Sequence, residues 1–402
     1  MKTNKFDLKT FDGLTLKGVS FQPEDEETII GVLFIIHGFA EHSMRYEGFA
    51  SQMTDSGIAV VSMDLRGHGT SEGKQGHSPS MEAWVKDTHL MVHRGAKIFK
   101  VKKKGLPVYM YGHSMGGGIL LQYLIRYRPV YVRAAIASSP FLRLPKGSVG
   151  SFKLGLAKMM FKIHSAYTEK SNLDSSYLTD DPKENKKYED DPLVFNKITT
   201  GTLMSVLNGG VDTLEKAQVL TEFEDFKLLF VVGKGEKIVN WTAVVEVYEK
   251  IKDSKKIDLH LDKLPKHELH NCSKKEELIA MYINYLLTGE ITGQPERDIE
   301  EEEEEEEEKE KGKKKNGKKE DKEEKKEEKE EKKEESNSDN DEDEKEKEKE
   351  KEEEEEEKED EKEDEKKEKE EKEEKEEKEE KEEKEEKEEK EEKEEKEEKE
   401  EK

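Results

Sequence analysis

The chain of 402 residues has a single cysteine, Cys272, so no disulfide can form within it. Such a composition is typical of proteins that stay in a reducing compartment. No stretch approaches the roughly 20 apolar residues that a membrane-spanning helix needs. The first residues also lack the apolar segment of a secretory signal peptide. From these absences we expect a cytoplasmic protein.

Apolar residues are nearly absent from residues 298–402, which contain 64 acidic and 33 basic side chains. Residues 1–297 contain 37 acidic and 40 basic side chains and are close to neutral. The net charge of −28 therefore comes from the C-terminal part. Because that part cannot bury a core that offsets its ordering entropy, we predict a low-complexity tail over residues 298–402.

The end of this tail repeats Lys-Glu-Glu, which places a Glu four residues before a Lys throughout. Such pairs stabilise a solvated helix by small increments, whereas the lack of an apolar seam excludes a coiled coil. We predict disorder with transient helix. Two roles stay open: solubility alone, or a polyanionic arm that binds basic proteins or keeps the protein off anionic membranes. Neither part of the chain has the basic character that nucleic-acid binding requires.

Short apolar runs alternate with amphipathic segments in the first part of the chain. Runs such as 29–36 and 58–63 are typical of strands that are buried on both faces of a parallel sheet. One long amphipathic helix is predicted from about residue 79 to residue 104. The alternation predicts an α/β protein with a mostly parallel sheet and helices on both faces, built from residues 1–141 and 221–292.

This alternation breaks over residues 142–220, which we interpret as a helical cap inserted over the site. This segment contains an apolar stripe with lysines between its members, which are Phe152, Leu154, Leu156, Met159, Met160, Phe161 and Ile163. Two interpretations of the stripe stay open. It forms the core of the cap, or it is an apolar surface that contacts acyl chains or a membrane.

The run 111–117, Tyr-Gly-His-Ser-Met-Gly-Gly, carries the strongest chemical signal. It follows an apolar, strand-like stretch and precedes a helical one, which is the setting of a G-x-S-x-G nucleophile elbow. Small residues on either side of the serine allow a strained turn that exposes its hydroxyl. The pattern predicts that Ser114 is a nucleophile in acyl transfer. Epoxide hydrolase or dehalogenase chemistry is disfavoured, because enzymes that perform it from a nucleophile elbow have an aspartate in place of the serine.

Acyl transfer also needs two donors for the developing oxyanion. In an elbow, one donor is the backbone N–H of the residue after the nucleophile, here Met115. The other should come from the loop after the third strand, and the Phe39 N–H is our candidate.

The catalytic base should be a histidine in the loop after the last strand. The last predicted strand spans residues 256–262, and His267 follows it. His270 is a fallback in the same loop. We therefore assign the base to His267.

The acid that orients this base should follow the preceding strand, predicted over residues 228–232, and Glu236 occupies that place. A glutamate suffices, since the acid only has to accept the Nδ1–H bond and stabilise the imidazolium. Asp225 and Asp253 are the next candidates, but neither lies at the C-terminal end of a strand.

Six stretches of the chain resemble, in family order, the monoglyceride lipase and lysophospholipase-like branch of the α/β-hydrolases. This resemblance implies an eight-stranded, mostly parallel sheet and hydrolysis of a monoacylglycerol or lysophospholipid ester through an acyl-enzyme, without cofactor or metal. It also implies that Glu41, Arg45, His113 and Tyr188 surround the polar head of the substrate. The six stretches are residues 37–46, 64–73, 112–117, 191–194, 233–236 and 267–269.

Two positions depart from the family pattern. The triad acid of this branch is usually an aspartate, whereas this chain has Glu236, and Asn240 stands where an acidic residue is usual. We expect activity to survive, because a glutamate keeps the charge. The alternatives are a catalytically weakened hydrolase fold that serves as a lipid-binding or interaction protein, and a thioesterase or peptidase of the same fold.

Overall fold

The structure is a computed structural model that describes residues 1–145, 159–161, 163–171 and 173–291. The predicted tail over residues 298–402 and the first half of the apolar stripe lie outside these residues. Ten strands occur in the described part: β1 (Lys2–Lys9), β2 (Thr15–Gln22), β3 (Gly31–Ile36), β4 (Ile58–Met63), β5 (Val108–His113), β6 (Val132–Ser138), β7 (Thr168–Lys170), β8 (Lys197–Thr199), β9 (Lys227–Gly233) and β10 (Ile257–Asp262).

Eight of these strands form one sheet in the order β1-β2-β4-β3-β5-β6-β9-β10. The pairs β1–β2 and β2–β4 are antiparallel, and the other five pairs are parallel. All residues of β3, β4 and β5 are buried, as their continuous apolar sequences predict. The expected fold class, a mostly parallel eight-stranded sheet, is therefore confirmed.

Helices cover both faces of this sheet. On one face, α1 and α8 pack through side chains such as Phe49 and Tyr282, and on the other α2, α4 and α7 pack through Trp84, Leu121 and Val247. The described helices are α1 (Glu47–Asp55), α2 (Met81–Ile98), α3 (Val101–Lys104), α4 (Met115–Tyr127), α5 (Pro182–Asp190), α6 (Thr200–Lys216), α7 (Trp241–Ile251) and α8 (Lys275–Thr288). None of the helices in the described part is long and apolar enough to cross a bilayer.

The single helix predicted over residues 79–104 is two helices, and that prediction was wrong. Helix α2 begins after Ser80, whose hydroxyl accepts a hydrogen bond from the Ala83 N–H. It ends at Phe99, and Lys100 adopts a left-handed conformation with φ of 52° before α3 begins. A left-handed residue reverses the path of the chain, so one continuous helix cannot form.

The described part of the predicted cap contains the helices α5 and α6, as expected. It also contains a small antiparallel sheet of β7 and β8, which was not expected. Helix α6 packs on α4, next to the nucleophile elbow. The Gln122 side-chain amide of α4 donates to the Gly209 carbonyl at 3.1 Å and to the Thr213 hydroxyl at 2.9 Å. The helix that follows Ser114 is thus bonded directly to the predicted cap.

Candidate active site

Ser114 lies between β5 and α4 in a strained backbone conformation, with φ of 55° and ψ of −121°. Three backbone hydrogen bonds hold it there. Its N–H donates to the Ser138 carbonyl at 2.9 Å, and its carbonyl accepts from the N–H groups of Gly118 and Phe141. Such conformations persist only where the surroundings fix them, and they concentrate at functional sites.

Two glycines of the elbow are required by close packing. A Cβ atom at Gly116 would overlap the carbonyl oxygen of Ile36, and one at Gly112 would meet the carbonyl oxygen of Gly116. A side chain at Gly116 would push the turn away from β3, and one at Gly112 would push the start of α4 away from β5. The small residues of the motif are therefore explained by contact between the turn and the sheet.

His267 and Glu236 come together below this turn. His267 Nδ1 lies 2.6 Å from Glu236 Oε2, and both side chains are buried. The other carboxylate oxygen, Oε1, accepts the Val239 N–H at 2.6 Å. The preceding residue, Gly235, has φ of 84°, a conformation that favours glycine, so the chain turns directly before Glu236. The structure thus places these two predicted residues in direct contact.

The two predicted oxyanion donors lie at the same cavity as Ser114 and His267. Met115 is the first residue of α4, so its N–H has no acceptor within the helix. In the other loop, the Gly38 N–H is bound by Glu41 Oε1 at 2.5 Å. Because the Gly38 N–H is already paired, the next N–H along the chain, that of Phe39, is the candidate donor in this loop. No hydrogen bond joins Ser114 Oγ to His267 in the described part, and such bonds often tighten only when substrate is bound.

The charged residues expected around the polar head pair with one another. Arg45 Nη1 lies 2.5 Å from Glu41 Oε2, and the guanidinium binds both oxygens of Glu268 at 2.7 and 2.8 Å. The ring of Tyr188 packs 4.8 Å from this guanidinium. Glu268 carries no role in the sequence-based assignment, although its place directly after His267 is a signal that could have found it.

Three histidines form a buried cluster beside the elbow. The ring of His113 lies 4.7 Å from that of His267 and 4.8 Å from that of His270. Burial and these neighbours lower the pKa of His113 well below its ordinary value, so it is neutral near pH 7. Burial also lowers the pKa of His270 to about 4. The Nδ1 atom of His270 pairs with the Tyr111 hydroxyl at 3.0 Å, not with an acid.

The alternative acids lie elsewhere. Asp225 precedes β9 and forms an exposed pair with Arg133 at 3.3 Å. Asp253 lies in the turn between α7 and β10. The second departure from the family pattern, Asn240, caps α7 by accepting the Ala243 N–H at 3.2 Å. An amide oxygen performs this capping as well as a carboxylate does.

Apart from the polar groups described above, the cavity is lined mainly by apolar side chains of the cap and of the loops beneath it. No group of three or more His, Cys, Asp or Glu residues in the described ranges is arranged to hold a metal ion. The cavity is therefore suited to a ligand with a long apolar part and a compact polar end. The apolar lining residues are Phe141, Leu144, Leu173, Leu178, Ile198, Leu203, Val206 and Ile238.

A mostly parallel sheet, a strained serine before a helix and a His–Glu pair define the class of α/β-hydrolases with a serine hydrolase site. The chain matches the family Hydrolase_4, described as serine aminopeptidase, S33, over residues 27–273, and it belongs to this family.

Relatives place the chain in the branch of carboxylic ester hydrolases that includes the monoglyceride lipases, which confirms the resemblance seen in the sequence. A monoacylglycerol lipase of Mycolicibacterium smegmatis is 30% identical over 244 residues, 60% of this chain and 82% of the relative. An uncharacterized abhydrolase domain-containing protein of Dictyostelium discoideum is 29% identical over 286 residues, 71% of this chain. The match spans only 29% of that Dictyostelium protein.

Solved structures share the fold. A monoacylglycerol lipase of Paleococcus ferrophilus aligns with a TM-score of 0.57 and 26% identity, over 72% of this chain and 100% of that one. A soluble variant of the monoglyceride lipase of Saccharomyces cerevisiae, in complex with a substrate analog, aligns with a TM-score of 0.64 over 73% of this chain and 97% of that one. At 19% identity, the second likeness concerns the fold alone.

Replacing Gly116 by Ala should displace the elbow, because its Cβ would overlap the Ile36 carbonyl. We expect a loss of about 1–3 kcal/mol in the free energy of unfolding. Hydrolytic activity should fall by about 100-fold if the serine moves by roughly 1 Å. Urea unfolding and ester hydrolysis measure the two effects.

Gly48→Ala is the matched control, since a Cβ at this position of α1 meets nothing within 4 Å. That variant should gain up to about 1 kcal/mol of stability and keep its activity. Equal behaviour of the two variants would contradict the packing explanation.

Proposed function

We propose that this protein hydrolyses the carboxylic ester of a monoacylglycerol or lysophospholipid, with Ser114 as nucleophile, His267 as base and Glu236 as orienting acid. The observation that carries this proposal is the 2.6 Å contact between His267 Nδ1 and Glu236 Oε2. It lies at a largely apolar cavity that Ser114 also lines. No part of this chemistry requires a cofactor.

In the proposed reaction, His267 Nε2 takes the proton of the Ser114 hydroxyl while Oγ attacks the ester carbonyl carbon. The carbonyl oxygen gains negative charge, which the N–H groups of Phe39 and Met115 stabilise. The tetrahedral intermediate then collapses, and His267 gives its proton to the leaving alcohol. Water, activated by the same imidazole, cleaves the acyl-enzyme and releases the fatty acid.

The lining of the cavity favours lipid esters over peptides. An aminopeptidase needs an anion for the free amino group of its substrate. The two carboxylates among the described lining residues other than the triad, Glu41 and Glu268, are both paired with Arg45. The apolar lining suits an acyl chain, and relatives of the chain are named monoacylglycerol lipase.

Fluorophosphonate labelling tests the nucleophile. We expect the wild-type protein to be labelled and to hydrolyse members of a panel of monoacylglycerols and lysophosphatidylcholines, because the probe and the esters need the same activated hydroxyl. Ser114→Ala should show neither reaction. A wild-type protein that remains unlabelled would contradict the proposal. The ester panel identifies the preferred head group.

Glu236→Gln should lower kcat by up to about 10⁴-fold with little change in KM, because a neutral amide cannot stabilise the imidazolium. Glu236→Asp keeps the charge but not the reach, so we expect a smaller loss, on the order of tenfold. Steady-state kinetics with one ester measure both variants. If neither the variants nor the wild type hydrolyse any ester, the lipid-binding alternative is favoured.

Peripheral membrane contact through the cap is also part of the proposal. Met159 is 51% exposed and Ile163 is 73% exposed, so these members of the apolar stripe can be buried in a lipid surface. The affinity for vesicles, measured by cosedimentation, should fall about tenfold in a Met159→Ser, Ile163→Ser variant, because this variant buries less apolar area in the lipid. Val130→Ser is the control, because Val130 is 83% exposed outside the cap. Equal binding of all three proteins would contradict the proposed contact.

For the tail over residues 298–402, the proposed roles are those set out above: solubility, or a polyanionic arm for basic proteins and against anionic membranes. Removing these residues and measuring activity and membrane fractionation tests the arm, since a tail that keeps the protein off anionic membranes should alter fractionation when it is lost. Unchanged activity and unchanged fractionation would leave only solubility. A cytoplasmic location remains part of the same proposal.

A further inference from the structure

Arg45 belongs to one of the two loops that the proposed chemistry uses, and its guanidinium contacts the other. The oxyanion loop, residues 37–46, carries Glu41, and the base loop, residues 263–272, carries Glu268 directly after His267. The guanidinium binds Glu41 at 2.5 Å and both oxygens of Glu268 at 2.7 and 2.8 Å. The three side chains are 10%, 3% and 3% exposed, so the contacts are shielded from water.

Each carboxylate also holds backbone or side-chain groups of its own loop. Glu41 Oε1 accepts the Gly38 N–H at 2.5 Å and the Tyr46 hydroxyl at 2.9 Å. Gly38 directly precedes Phe39, the proposed oxyanion donor. On the other side, Glu268 Oε2 accepts the side-chain amide of Asn271 at 2.8 Å. The guanidinium thus joins two carboxylates that each fix the shape of one loop.

These contacts leave the charged groups little capacity for a substrate hydroxyl. The carboxylates of Glu41 and Glu268 each accept several hydrogen bonds, and Tyr188 packs 4.8 Å from the guanidinium. Burial alone would raise the pKa of Glu268, yet the Arg45 guanidinium holds that pKa well below its usual range. The pair is therefore ionised at neutral pH, and its geometry is that of a fixed connection between loops.

We propose that Arg45 and Glu268 are positioning residues that hold the base loop against the oxyanion loop, and so set the place of His267 relative to the Phe39 N–H. This inference rests on the proposed function of the site. The planar guanidinium fixes both distance and orientation through two parallel hydrogen bonds, which a lysine cannot do. Misplacement of a catalytic group by roughly 1 Å can cost about 100-fold in rate.

Two esters with the same acyl group test this inference: glycerol monobutyrate, and p-nitrophenyl butyrate, which lacks the glycerol. In Glu268→Gln and Arg45→Lys, kcat should fall about 10- to 100-fold for both esters, with KM changed by less than about threefold. The rate of fluorophosphonate labelling should fall by the same factor as kcat, since it also depends on an aligned base.

Glu222→Gln is the matched control, because it removes one charge from an exposed pair with Arg128. Thermal melting verifies that each variant is folded. Arg45→Lys keeps the charge but loses the two parallel hydrogen bonds of the guanidinium, and it is sufficient for the test if Glu268→Gln does not fold. A loss confined to the glycerol ester would overturn the inference and assign the pair to head-group binding. Unchanged rates with both esters would overturn it as well.

Failure of the proposed function gives a different result. A wild type that hydrolyses neither ester and takes no label contradicts the function itself, whereas an active wild type with variants as described above bears on the pair alone.

Discussion

The strained turn at Ser114 depends on contact with the neighbouring strands, and the rest of the site is arranged around it. Its N–H is bound by Ser138 at the end of β6, and Gly116 lies against the Ile36 carbonyl at the end of β3. A turn of this kind is stable only where parallel strands end on either side of it. The geometry of the site therefore depends on the sheet order β3-β5-β6.

The segment predicted to be a cap bonds to both loops that carry candidate site residues. The His267 N–H donates to the carbonyls of Tyr177 and Leu178, which belong to the cap. On the other loop, His42 pairs with Asp191 at 2.8 Å. Both loops therefore bond to the same inserted segment and also meet at the buried Arg45 guanidinium, so the positions of His267 and of the 37–46 loop are fixed by shared contacts.

Local patterns in the sequence were sufficient to predict the strands of the eight-stranded sheet, the elbow and the loops on which the candidate residues lie, but not the strands β7 and β8. Continuous apolar runs identify buried strands, and chain order then places Glu236 and His267 after the last two of them. The pairing of Arg45 with Glu268 could not be predicted, since these residues are 223 positions apart and nothing in either local sequence specifies the partner. The break at Lys100 was not predicted either, because the amphipathic pattern continues across this exposed residue although its backbone is left-handed.

The glutamate at position 236 shows how a departure from a family pattern can be compensated within one loop. A glutamate is one methylene longer than an aspartate, so its carboxylate reaches the imidazole from a more distant backbone. Here Gly235 turns the backbone back with φ of 84°, and Val239 N–H binds the oxygen that does not face His267. Asn240 then starts α7 at once and fixes the end of the loop. The longer acid is therefore one part of a loop whose turn, hydrogen bond and helix cap fit its length, and the charge next to the base is preserved.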